Sequence, residues 1–269
     1  MGIIEFKNVS FQYPNGFSAV ENVDFEIQQG EKLAIVGQNG AGKTTTVKMM
    51  NGLLKPTDGT VLVDGMDTKD YTTAQLSRVT GYVFQNPDEQ IFHNTVRAEI
   101  EFGPGVLGFD VDKIREKTEW AAQICGLTEH LEENPYNLPL SIRKFVTIAS
   151  VLAMDEKILV LDEPTAGQDL NGLKCLENIL NELEKKGTTV ITITHDMEFV
   201  VNNFPKVFVM AHKNLLKSGS AREIFQDDEL LAESMLKRPY ISSLASRLGI
   251  VQDIMSQEEM VEYFVAKLR

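Results

Sequence analysis

The run Gly37-Gln38-Asn39-Gly40-Ala41-Gly42-Lys43-Thr44 restricts this chain more than any other stretch. It fits GxxxxGK(S/T) in full. Its glycines let backbone N–H groups curl around phosphates, Lys43 can reach the β and γ phosphates, and the Thr44 hydroxyl suits Mg²⁺. Residues 33–36, Leu-Ala-Ile-Val, form a short, wholly apolar run before it and predict a buried central strand. A helix predicted over 44–50 follows and aims its positive end at the anion. Strand, loop and helix in this order point to an α/β fold built around a phosphate site.

Residues 3–13 and 23–27 alternate apolar and polar and predict half-exposed antiparallel strands; 60–65 predicts another strand ending in a turn. From about 86 to 154 the texture turns helical. There Ile114, Thr118, Ala121, Ala122 and Cys125 share one helical face, with Gly126 as a C-terminal stop. Two apolar runs, 157–164 and 188–195, flank a helix-like 170–186. Strand, helix, strand implies parallel pairing in a covered sheet. Residues 206–219 predict an edge hairpin, and from 228 onward the chain is helical with apolar positions of its own.

Lys and Arg total 26 against 39 Asp and Glu, a net charge of -13. Such a surface repels nucleic acid and anionic headgroups and favours a basic protein partner. Cys125 and Cys175 lie far apart in sequence, outside any zinc-type spacing, which suits a reducing compartment. The charged, alternating opening predicts no signal peptide. Apolar runs such as 158–161 fall far short of the roughly 20 residues of a membrane helix, so a membrane role would come through a partner.

Asp162 and Glu163 close the apolar run at 158–161. After a phosphate loop, Asp162 fits a partner of Mg²⁺ and Glu163 fits the group that polarises an attacking water. The competing reading is a helix cap or a lysine pair. His195 ends the next apolar run, where it could contact a γ-phosphate. His93, His130 and His212 read as structural.

The phosphate loop, Gln85, residues 161–167 (LDEPTAG), Asp169 and His195 together resemble the ATPase subunits of ABC (ATP-binding cassette) transporters over residues 1–225. The resemblance implies an α/β P-loop NTPase core with an antiparallel β subdomain and an inserted helical subdomain at about 86–154. It implies ATP as substrate and Mg²⁺ as cofactor. ATP would be held by Tyr13, stacked on adenine, and by Gly37 to Thr45: Gly37, Gln38, Asn39, Gly40, Ala41, Gly42, Lys43, Thr44 and Thr45. Mg²⁺ would be held by Thr44, Gln85 and Asp162. Glu163, Gln85 and His195 would be catalytic, and Asp169 would lie on the loop that crosses a dimer interface. The stretch 84–92 (FQNPDEQIF) with Phe102-Gly103-Pro104 is similar to the ATPases of energy-coupling-factor importers and their cobalt and nickel relatives, which bring vitamins or metal ions into prokaryotic cells. The stretch from Lys237-Arg238-Pro239-Tyr240 through Leu248-Gly249 resembles that group's small C-terminal helical domain, here expected over 226–269, which helps two ATPases pair.

One stretch departs from the pattern. Where these proteins carry LSGGQ, this chain has Leu138-Pro139-Leu140-Ser141-Ile142, and only Leu138 matches in register. Pro139 brings neither N–H nor hydroxyl, and Leu140 brings bulk where backbone should approach a phosphate. The expectation is a peripheral subunit on the cytoplasmic face of the cell membrane. It would pair with a paralogous ATPase of standard signature and dock on basic coupling helices of a transmembrane subunit, beside a substrate-binding membrane subunit. Asp88 and Glu89 would meet arginines there. A soluble ABC ATPase outside transport, or a regulatory ATP binder with weak turnover, remain the alternatives.

Overall fold

The structure is a computed structural model that describes residues 2–250 and 254–268. Strands β1 (Ile4–Gln12), β2 (Ser18–Ile27) and β3 (Lys32–Val36) lead into helix α1 (Lys43–Met50). Then come β4 (Asp58–Val63), β5 (Met66–Asp67), the short α2 (Thr73–Leu76) and β6 (Thr80–Val83). A helical block follows: α3 (Val96–Val106), α4 (Val111–Ile124) and α5 (Leu140–Leu152). The chain returns through β7 (Ile158–Asp162), α6 (Leu170–Lys186), β8 (Thr189–Ile193), α7 (Met197–Asn203), β9 (Lys206–Ala211) and β10 (Asn214–Ser220). Helices α8 (Ala221–Phe225), α9 (Asp228–Glu233), α10 (Tyr240–Arg247) and α11 (Gln257–Leu268) complete it.

The strands form two sheets. One is antiparallel, in order β2-β1-β4-β5. The other runs β10-β9-β3-β8-β7-β6, parallel except for the β9–β10 pair. Period-2 alternation turns the apolar runs into two cores. Ala34, Val36, Leu159, Leu161, Val207 and Val209 face the helices α3–α6. Leu33, Ile35, Ile158, Val160, Phe208 and Met210 face α1 and the antiparallel sheet. A central strand covered on both faces has no polar side, which is why these strands read as unbroken apolar runs.

Helix α6 begins and ends where residues 170–186 predict. Asp169 caps its N-terminus by accepting from Gly172 N at 2.8 Å, and Gly187 closes it in the left-handed region at φ 72. Leu176, Ile179, Leu180 and Leu183 form its buried stripe. On α4, Thr118, Ala121 and Ala122 are buried as their spacing implies, with Cys125 at the C-cap.

Three expectations change. β2 starts at Ser18, well before residue 23. Of the 206–219 hairpin only β10 lies at the edge; β9 pairs in parallel with β3 inside the sheet. Phe208 and Val207 explain this, because they face opposite cores. Lastly, Leu230 and Leu231 of α9 pack into the main core, whereas Ala245 of α10, Met260 of α11 and Ile254 between them form a small cluster of their own. The tail beyond 226 is therefore divided between two cores. Residues 251–253 and 269 of that tail lie outside the described residues.

Helix α5 approaches β6 closely at Gly81, where an added Cβ would lie 2.3 Å from Val151 Cγ1 and 2.8 Å from Glu156 Oε1. Gly81→Ala should lower stability by about 1–3 kcal/mol through overpacking. At Gly105 in α3 nothing lies within 4 Å of the added Cβ, so the same change should be neutral or stabilising by up to about 1 kcal/mol. Urea midpoints at unchanged m-value would measure both.

Candidate functional site

β3 delivers the chain into the phosphate loop with its glycines in place. Gly37 (φ 147) and Gly42 (φ 97) occupy backbone regions that side chains rarely adopt. A Cβ at Gly37 would fall 2.0 Å from Met210 O, and one at Gly42 2.4 Å from Ala19 O. Gly42 is the N-cap of α1, so the free N–H groups of that helix open toward the loop. Lys43 is buried, and its Nζ donates to the carbonyls of Gly37 at 2.7 Å and Gln38 at 3.0 Å. Burial pushes its pKa down; the charges of Glu163 and Asp162 oppose that.

The carboxylate pair sits at the C-terminal end of β7, next to the loop. Asp162 accepts from the hydroxyl of Tyr82 at 2.7 Å and hydrogen-bonds the Thr44 side chain. Burial raises its pKa, against the pull of Tyr82, Lys48, Thr44 and Lys43. Glu163 takes a left-handed backbone at φ 50 while its N–H donates to Ile193 O at 2.8 Å. Its pKa is pushed up to about 7, chiefly by burial, with Asp162 adding to the rise and Lys43 and Lys144 opposing it. A carboxyl with that value can take a proton near neutral pH. His195 faces it: Nε2 lies 3.3 Å from Glu163 Oε1, and the His195 N–H donates to Glu163 Oε2 at 3.3 Å. Burial and Lys43 lower the imidazole pKa, which favours the neutral ring.

These groups line one cleft of about 700 Å³, shared by Tyr13, Asn39 to Thr45, Gln85, Asp162, Glu163 and His195. Gly37 and Gln38 do not line it; their carbonyls hold Lys43. Tyr13 lies just beyond the end of β1, and its hydroxyl is 3.1 Å from Thr45 Oγ1. Its ring packs edge-on to Phe11 at 4.9 Å and loosely beside the exposed Phe17, a second aromatic at the cleft mouth that the sequence reading missed. The Thr44 hydroxyl, the Asp162 carboxylate and the Gln85 amide offer hard oxygen donors to the same space, a set that fits Mg²⁺. His195 also borders a second cavity of about 930 Å³, which reaches the C-terminal helices.

The stretch 138–142 does not reach this cleft. Pro139 is the N-cap of α5 and makes no side-chain cap, Leu140 is 56% exposed, and Ser141 opens the first turn with Ile142. The helix N-terminus that the sequence predicts there is present. Asp169 stands in an exposed loop and caps α6.

In the loop after Gln85, Asp88 has an ion-pair partner within the chain. Its Oδ1 accepts from Arg143 Nη1 at 2.6 Å. Arg143 also donates to the carbonyls of Pro135, Tyr136 and Leu138, and its guanidinium lies over the Tyr136 ring. Glu89 remains exposed, with Asn86 Nδ2 at 3.4 Å. Nearby, Phe92 and Phe102 meet edge to face at 4.9 Å and are both exposed.

The profile of the family described as ABC transporter matches residues 20–166. The chain is 41% identical to a Pyrococcus furiosus protein named as a candidate ABC transporter ATP-binding protein, over 96% of this chain and 98% of that one. It is 37% identical to the energy-coupling factor transporter ATP-binding protein EcfA of Methanosphaera stadtmanae, over 91% and 89%. Among solved structures, CbiO1 of Clostridium perfringens, described as part of the transporter complex CbiONQ, superposes with a TM-score of 0.78 at 32% identity, over 94% and 99%. The ATP-binding cassette MJ0796, solved as a dimer bound to ADP and Pi, gives 0.74 at 25% identity, over 81% and 98%.

Arg143 is the fastener of the loop that leads into α5. Arg143→Met should cost about 1–2 kcal/mol, because it strips a charge-assisted donor from two half-buried and two exposed acceptors. Asp88→Asn should cost less than about 1 kcal/mol, as a half-exposed ion pair. Chemical denaturation of the isolated chain checks both.

Proposed function

Because the chain belongs to the ABC transporter family of ATP-binding subunits, we propose that it powers an importer of the energy-coupling-factor type, paired with a second, non-identical ATPase. At the coarser level it is an ATPase whose hydrolysis is coupled to transport. The observation that carries the residue assignments is convergence: Lys43, Thr44, Gln85, Asp162, Glu163 and His195 all face one cleft.

In this reading the loop N–H groups and Lys43 grip the phosphates, and Tyr13 supports the adenine with Phe17 beside it. Thr44, Asp162 and Gln85 would hold Mg²⁺, which when bound neutralises phosphate charge and fixes the phosphate geometry. Glu163 accepts hydrogen bonds from His195 N–H and, in the proposed mechanism, takes up the proton of the attacking water. That water attacks the γ-phosphorus in line as the bond from this phosphorus to the bridging oxygen breaks, its electron pair leaving on ADP and the γ-phosphoryl group leaving as phosphate. Neutral His195 orients the carboxylate and reaches the γ-phosphate. The chemistry is mainly positioning and charge neutralisation.

EcfA and CbiO1 support the importer type by their names. Vitamins or transition-metal ions are the solute class that the sequence resemblance implies. Among the described residues no helix is long and apolar enough to cross a membrane, which fits a peripheral place on the cytoplasmic face, docked on a transmembrane subunit beside a substrate-binding one. Asp88 and Glu89, both exposed, would meet arginines of the basic coupling helices, with the exposed Phe92 and Phe102 nearby in the chain. The tail beyond 226 would help the two ATPases pair, and Asp169 would stand at their interface.

The unequal pair follows from the start of α5. In a two-fold dimer of this chain both sites would receive Pro139, Leu140 and Ser141 in place of the usual donors. A partner with a standard signature would complete the site on this chain's loop, and the opposite site would be slower. Losing one preorganised donor to developing charge costs about 10²–10³-fold.

Two measurements test this. In the tagged complex, Lys43→Ala should abolish ATP binding, whereas Glu163→Gln should retain binding and lower turnover by about 10²–10⁴-fold. Near-normal hydrolysis by Glu163→Gln would refute its role. The matching substitution in the partner should remove little turnover; a fully active homodimer of this chain alone would overturn the unequal pair.

A further inference from the structure

We infer that Lys144 is a positioning residue for hydrolysis, a buried ammonium that fixes the turn carrying Glu163 to the second turn of α5. The inference rests on the reading of the cleft as an ATP-hydrolysing site. Lys144 is 3% exposed. Its Nζ donates to the main-chain carbonyl of Glu163 at 2.7 Å and to that of Ala166 at 3.1 Å. It is absent from the residues that line the cleft, so it acts through another group.

A buried lysine is rare, and burying its charge is unfavourable unless the surroundings supply hydrogen bonds and opposite charge. Both are present: two carbonyls, and the nearby charges of Glu163 and Asp162 that sustain the ammonium against burial. A core position that tolerated an apolar residue would not need this arrangement. The need lies in the Glu163 backbone. At φ 50 it sits in a region that non-glycine residues leave unless held. The peptide before it is pinned through Glu163 N–H to Ile193 O at 2.8 Å, in line with β8. The peptide after it is pinned by Lys144. Freed on that side, the peptide could rotate and swing the carboxylate away from His195.

A second tie runs in parallel. Gln168 Nε2 donates to Ser141 O at 3.1 Å, so the first two turns of α5 and the loop from 163 to 168 are joined twice. The seating of α5 thereby sets the aim of the Glu163 carboxylate. Since the start of α5 is also the surface offered to a partner's nucleotide, a shift there would reach this chain's own cleft through Lys144.

The test uses the complex isolated through a tag on this chain, in wild-type, Lys144→Met, Lys144→Arg and Lys144→Gln forms. The measurements are kcat, KM for ATP, equilibrium binding of a fluorescent ATP analogue, and melting temperature. Misplacing a catalytic group by about 1 Å can cost up to roughly 10²-fold. Lys144→Met should therefore lower kcat by about 10- to 100-fold, with KM and analogue binding within about twofold of wild type. Lys144→Arg, which keeps charge and donors, should recover most of the rate. A kcat for Lys144→Met within twofold of wild type would overturn the inference. So would a loss shared by kcat, binding and melting temperature that Lys144→Arg fails to rescue, as a merely structural lysine would give. Should Lys144→Met fail to fold, Lys144→Gln, too short to reach both carbonyls, decides: a lowered kcat at constant KM and analogue binding supports the inference, and a kcat within twofold of wild type refutes it. A wild-type complex without any turnover would instead remove the proposed function itself, and this inference with it.

Discussion

Two carboxylates side by side at the end of a buried strand repel each other and lose hydration, and the site is organised around offsetting that. Asp162 is relieved by the Tyr82 and Thr44 hydroxyls, and Glu163 by His195 N–H and the ammonium groups of Lys43 and Lys144. The relief is incomplete, and in the proposed mechanism that has a use. Glu163 retains affinity for a proton near neutral pH because burial outweighs its neighbours. A fully satisfied carboxylate would be a weak base, and a wholly buried one would be protonated and inert.

The sheet makes this concentration of charge bearable. Its strands bring β3 and β7 to the same edge of the cleft, with β8 between them contributing Ile193 O and the turn to His195. Lys43, Asp162, Glu163 and His195 therefore emerge from the C-terminal ends of three neighbouring parallel strands. Both cores press on those strands from opposite faces, which holds the groups at fixed separations.

Much of this was legible because the sequence concentrates its signals. The phosphate loop is contiguous, Asp162 and Glu163 are adjacent, and β7, α6 and β8 follow each other with clean caps. The rest depends on contacts between residues far apart in the chain. Tyr82 meets Asp162 across 80 positions, and Arg143 meets Asp88 across 55. Nothing local marks Tyr82 as other than a strand aromatic. Lys144, only 19 positions before Glu163, is masked by its place on α5, where a lysine ordinarily points to water. Asp88 shows the converse: its charge is legible in sequence, but its contact with Arg143 of the same chain is not. β9 was read as edge because its neighbour in sequence is its hairpin mate, whereas its neighbour in space is β3.

The small cluster of Ala245, Ile254 and Met260 has one more consequence. Helices α10 and α11 rest on a core far smaller than the two that enclose the sheet, and are tied to the body at points such as Arg222 with Glu259 and the Tyr240 N–H with Glu198. Local opening free energies follow the size of the apolar unit broken. Amide hydrogen exchange in these two helices should then be faster than in β3 or β7. The end of the chain can loosen and re-form many times within the lifetime of a single global unfolding event, while the cleft stays assembled.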